Sequence, residues 1–132
     1  MLLLGARAAL IIFLVWAASI VFEPNHDAAR LEVAADALEH GLMTFGLVVL
    51  ISAALPKMRL LLIGLGVLGL GISLELLQLS QLAPGRFELG DIVADLTGIS
   101  LGLFAVGVGE GRAHDTQNQA ERHRMEMSGS EE

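Results

Sequence analysis

Residues 60–82 read Leu60-Leu-Leu-Ile-Gly64-Leu-Gly66-Val-Leu-Gly69-Leu-Gly71-Ile-Ser73-Leu-Glu75-Leu-Leu-Gln78-Leu-Ser80-Gln-Leu82. The stretch is apolar without alternation. It matches the ~17–25 residues that a helix needs to cross the hydrocarbon core of a bilayer. Glu75 is its one ionisable residue. A charge in a spanning segment is costly, so it normally turns toward other helices, finds a partner and serves a function. Gln78, three residues on, shares its helical face.

Three similar runs surround this one. Residues 2–22 are broken only by Arg7, and two further runs cover about 37–55 and 92–108. Each is long enough to span a membrane as a helix, and the absence of alternation argues against strands. The fold expected is therefore all-α: four transmembrane helices in a compact bundle over residues 1–110. The first run also admits a signal-peptide reading, since Ala17-Ala18-Ser19 is a small-residue stretch. Arg7 lies late for that reading, and the apolar run continues past the cleavage point.

Composition agrees with a membrane protein. Hydrophobic residues make up 54% of the 132, more than a soluble domain of this size can cover with polar surface. The chain has no cysteine, which removes disulfides, thiol nucleophiles and thiolate metal sites. Its net charge of −7 argues against a nucleic-acid partner. Basic residues fix an expected orientation. Arg7, Lys57, Arg59, Arg112, Arg122 and Arg124 alternate with two loops holding only Arg30 and Arg86. The positive-inside rule then places both termini and the Lys57 turn in the cytoplasm, with residues 23–36 and 81–91 outside.

Residues 111–132 are rich in Gln, Glu, Arg and Ser and too poor in apolar groups to form a core, so a disordered cytoplasmic tail is expected there. His114 and His123 read as solvated. The glycines of residues 64–71 are not followed by a Lys-Ser/Thr pair. They read as positions of close helix approach, as does the Gly98-x-x-x-Gly102 step.

The remaining polar residues fall at one depth on this topology. Asp36 and His40 open the second helix, Glu75 and Gln78 lie in the outer half of the third, Arg86 follows Pro84-Gly85, and Asp91 and Asp95 open the fourth. Each has an ordinary structural reading beside the functional one. Asp36 and Asp91 sit where acids cap free amides and complement the helix dipole. His40 reads equally as an interfacial histidine bonded to a loop carbonyl, and Arg86 as a snorkelling loop charge. Their shared depth makes a common site the expectation for the set.

These residues also carry a family resemblance. Asp36-Ala-Leu-Glu-His40, followed by Phe45, is similar to the D-x-x-x-H segment of VanZ-like proteins. Glu75-Leu-Leu-Gln78 resembles the E-x-x-Q segment of that family. Pro84-Gly85-Arg86-Phe87 with Asp91, Asp95 and Gly98 resembles its P-G-R … D-x-x-x-N-x-x-G segment. The resemblance covers residues 36–107. It implies a small integral protein of the bacterial inner membrane, and a role in glycopeptide (teicoplanin) tolerance. Two positions depart from the pattern. Ala37 stands where the family often has Lys, and Asp95 where it usually has Asn. Both changes make the set more acidic, so a proton or a cation is expected among Asp36, Glu75, Asp91 and Asp95.

Three function classes follow. In the first, Arg86, His40, Glu75, Gln78 and Asp91, supported by Asp95 and Asp36, bind or modify a cell-envelope component: a membrane lipid, a cell-wall precursor or the glycopeptide itself. Arg86 would meet a phosphate or carboxylate headgroup, while the surplus of acid disfavours an anionic ligand unless carboxyls are protonated or a metal intervenes. In the second, the same groups form an intramembrane acid–base or metal-dependent enzyme, with His40 and a carboxylate sharing proton transfer and no particular metal indicated. Ser73 and Ser80 flank Glu75, but neither lies in a nucleophile motif. In the third, the polar groups form a network that fixes helix packing for a partner protein. Transport is disfavoured by the small helix number and the lack of an inverted repeat.

Overall fold

A computed structural model describes residues 1–21, 33–83 and 88–129. It contains four α-helices: α1 (Leu2–Val21), α2 (Val33–Ala54), α3 (Leu60–Leu79) and α4 (Leu89–Gly129). All four are long and apolar enough to cross a membrane, and there is no strand among the described residues. The chain is thus an all-helical, multi-pass membrane protein by length and composition.

Close contacts fix the helix directions. Phe13 packs on Gly46, and Arg7 reaches Ala54, so α1 and α2 are antiparallel. Gly71 faces Asp95, Gly64 faces Ile99 and Leu103, and Gly107 faces Leu60, so α3 and α4 are antiparallel. Gly41 meets Ala94 and Gly98 while Val48 meets Gly102, so α2 and α4 run the same way. The helices therefore alternate in direction. The start of α2, the end of α3 and the start of α4 share one end, and Arg7, Ala54 and Leu60 lie at the other.

The packing is inverted relative to a protein in water. The apolar core is small: Val48, Ile63, Val67 and Ile99, with Leu47, Ile51, Leu60, Leu68 and Leu103 packed around it. Thr44, Ser52, Glu75, Asp91 and Asp95 are buried, while Leu61, Leu65, Leu70, Leu76 and Phe104 are each more than half exposed. Water would penalise that arrangement on both counts, and lipid reverses both penalties.

Local sequence explains the helix ends. Pro56 follows the last turn of α2, and Met58 N–H closes a turn on Leu55 O at 3.0 Å. Arg7 Nε donates to Ala54 O at 3.3 Å, satisfying a terminal carbonyl of α2 that lacks an intrahelical partner. At the end of α3, Gln81 adopts φ 60°, the left-handed region. Leu82 N–H bonds to Leu77 O at 2.9 Å and Gln81 N–H to Gln78 O at 3.0 Å. This is a Schellman closure with Gln where Gly is usual. It ends α3 one turn beyond Glu75 and turns the chain back toward α4.

The expectation of a disordered tail meets a different backbone. α4 continues without interruption from Leu89 to Gly129. Ala113, Gln117, Gln119, Ala120, Glu121, Arg122 and Met125 are good helix formers, and Gly109 and Gly111 cost too little to stop the helix. Residues 107–125 are exposed throughout, so the composition was a sound guide to the lack of packing, not to the lack of helix. A helix held only by its own hydrogen bonds opens readily. Amides from Arg112 to Arg124 should exchange with deuterium orders of magnitude faster than those around Ile99. Equal protection of both segments would show that the extension packs against something.

Candidate functional site

At the shared end of α2, α3 and α4, three carboxylates are sealed from the surroundings: Glu75 is 2% exposed, Asp91 3% and Asp95 5%. Asp91 and Asp95 are four residues apart on α4 and present one face. That face meets His40 of α2. His40 Nδ1 lies 3.5 Å from Asp95 Oδ1 and Nε2 lies 3.8 Å from Asp91 Oδ2. Each ring nitrogen thus has its own carboxylate. These are ion-pair separations, longer than direct hydrogen bonds, and only the imidazolium carries a proton on both nitrogens.

Glu75 enters from α3. Its Oε2 accepts the backbone N–H of Glu88 at 3.2 Å, immediately before α4 begins, and Asp91 N–H bonds to Glu88 O at 3.1 Å. Glu75 and Asp91 therefore both stand at the positive end of the α4 dipole. Glu75 is also within electrostatic reach of Asp91, His40 and Asp95. Its second oxygen, Oε1, is buried with no hydrogen-bond partner. Such atoms are uncommon in native structures and call for an explanation. Gln78 is half-buried one turn further along α3.

Small residues let the acids into the interface. A methyl group on Gly71 would lie 2.5 Å from Asp95 Oδ2, so the bare backbone of α3 makes room for that carboxylate. Thr44 Oγ1 donates into its own helix, at 3.0 Å from His40 O, and lies 3.3 Å from Asp95 O of α4. Gly98 sits directly against Gly41 O and Thr44 Oγ1, with no space for a side chain.

Of the seven residues expected at the site, the structure brings together His40, Glu75, Asp91 and Asp95 and puts Gln78 on the same helix end. Arg86 and the side chain of Asp36 lie outside the described residues. Thr44 is a neighbour of the site that the sequence reading did not single out. Thr44, one helical turn from His40 on the same face, was the available signal. Two of the four α3 glycines fit the close-approach reading, Gly64 against Leu103 and Gly71 against Asp95. Gly66 and Gly69 face open space.

Serine catalysis finds no support. Ser73 and Ser80 are exposed, and their hydroxyls bond to Gly69 O at 2.6 Å and Leu77 O at 3.0 Å within α3. Among the described residues, no three His, Asp or Glu side chains are grouped to hold a metal ion. Glu39, adjacent to His40 in sequence, turns the other way and lines an apolar groove of about 330 Å³ with Phe13, Trp16, Leu38, Leu42 and Met43.

Comparison with known proteins gives no match to any family model, curated protein or solved structure.

Proposed function

We propose that this chain is a VanZ-like protein of the bacterial cytoplasmic membrane, with both termini in the cytoplasm. Its polar site at the outward end binds a component of the cell envelope. The motif order over residues 36–107 and the alternation of basic loops support the assignment and the orientation. Tolerance to glycopeptides of the teicoplanin type is the phenotype this reading implies. The observation that carries the binding role is Glu75 Oε1: a buried carboxylate oxygen, in a membrane-spanning helix, with nothing bonded to it.

A second reading has its own observation. Glu75 Oε2 on Glu88 N–H is a helix-start contact, and a network serving only to lock α4 against α2 and α3 would include it. Glu75→Gln separates the two. The amide oxygen of Gln still accepts from Glu88 N–H, so the contact survives while the charge is lost. Native mass spectrometry with metal analysis of gently extracted protein should show a bound envelope component in the wild type. Glu75→Gln should lose it with the melting temperature nearly unchanged, and Glu39→Ala should keep it. Identical empty spectra for the wild type and Glu75→Gln would favour the structural network.

A further inference from the structure

We infer that the opposite end of the bundle, which carries Arg7, Lys57 and Arg59, binds the phosphate of an anionic phospholipid. This site is separate from the acidic cluster and goes beyond the envelope-binding reading. Arg7 lies inside the spanning part of α1, Leu2–Ile20. A cation at such a position is costly and calls for a partner. Its Nε donates to Ala54 O at 3.3 Å, which brings the guanidinium of α1 to the last turn of α2. Its two terminal nitrogens make no hydrogen bond. Lys57 and Arg59 follow Ala54 across the Pro56 turn, and both are exposed. Among the described residues no carboxylate is at ion-pair distance from any of the three, Glu110 of α4 included. A chain of net charge −7 thus keeps three unpaired cations at one end.

The chemistry of this end selects the partner. A guanidinium whose terminal nitrogens are free grips a phosphate with two parallel hydrogen bonds, and an ammonium supports it as a point charge. α3 adds to the attraction. Its first turn holds no acid and Arg59, its N-cap residue, makes no side-chain cap bond, so the positive end of its dipole is unopposed. The surface around the cations is apolar. Leu3, Leu4 and Ile11 lie one helical turn from Arg7, and Leu61, Leu62 and Leu65 stand on the first turns of α3; all six are exposed. Acyl chains cover such walls, whereas a free phosphate ion leaves them bare. The headgroup must carry net negative charge, because the ammonium of a zwitterionic lipid would be repelled by three like charges.

The test offers the full-length protein in detergent an equimolar mixture of phosphatidylglycerol, phosphatidylethanolamine and phosphatidylcholine with identical acyl chains. Retained lipid is read by native mass spectrometry at low salt. The wild type should retain phosphatidylglycerol over either zwitterionic lipid by about tenfold. Lys57→Gln combined with Arg59→Gln changes only exposed turn residues and should bring the ratio to about twofold or below, and Arg7→Gln should lower it as well. Arg122→Gln combined with Arg124→Gln removes the same charge from the far part of α4 and should leave the ratio unchanged. Glu75→Gln should also leave it unchanged, so this site and the envelope site fail independently. Inorganic phosphate offered in place of lipid should leave no adduct. Parity among the three lipids in the wild type overturns the proposal. Equal loss in the two double variants overturns the site, because overall charge alone would then set the preference. A phosphate adduct that depends on Lys57 and Arg59, beside lipid parity, overturns the lipid as the source of the anion.

Discussion

Gly98→Leu is expected to break the α2–α4 pair and leave little folded protein. Gly98 lies against the carbonyl oxygen of Gly41 and the hydroxyl of Thr44. One is backbone, and the other is held by its bonds to His40 O and Asp95 O, so neither can yield cheaply. Overpacking a tight site typically costs 1–3 kcal/mol, and a Leu here should cost roughly 3 kcal/mol or more. Gly98→Ala should fall between Leu and wild type. Gly66→Ala, with nothing within 4 Å of the added methyl, should gain about 1 kcal/mol from helix propensity. Thermal melts in detergent, followed by circular dichroism, would rank the three. A Gly98→Leu variant melting with the wild type would mean that α2 and α4 do not approach as described.

His40→Ala should be nearly as costly, for an electrostatic reason. Asp95 is 5% exposed, and His40 Nδ1, 3.5 Å from its carboxylate, is the ring nitrogen that faces it. Removing one member of a fully buried ion pair costs 3–5 kcal/mol, because the other charge is stranded. The His40 side chain is 21% exposed, which lets some solvent compensate, so about 2 kcal/mol is expected. Asp95→Asn in the same background should recover most of that loss. The two single changes and the double change form a cycle whose coupling should reach about 1–2 kcal/mol. Additive effects would show that the two side chains do not interact.

Run length and apolarity were enough to locate the four helices, since a spanning helix must be about that long and needs no partner in sequence to declare itself. Glu75 was legible for the same reason: one ionisable residue in twenty stands out. The pairing of His40 was not. His40 faces Asp91 and Asp95, more than fifty residues away in sequence, because the parallel run of α2 and α4 puts Gly41 against Ala94 and Gly98. Nor could sequence tell Gly64 and Gly71 from Gly66 and Gly69. All four look alike until the rotation of α3 about its axis is known. The polar end of α4 is helical because helix formation follows the propensity of Ala, Gln, Glu and Arg, whereas composition measures only what can form a core.

The length of α4 has a mechanical consequence. A helix of 41 residues is about 60 Å long, while the hydrocarbon core of a bilayer is about 30 Å thick. The two carboxylates that face His40 lie near one tip, and the uncovered polar half forms the other. Gly98, wedged against α2, is where a fulcrum would stand. Thirty-one residues separate it from Gly129, so a tilt of about 5° there sweeps the far tip through roughly 4 Å. The short arm holds the site and the long arm amplifies its motion, so a label near Met127 would register a small rearrangement around Asp91 as a displacement several times larger.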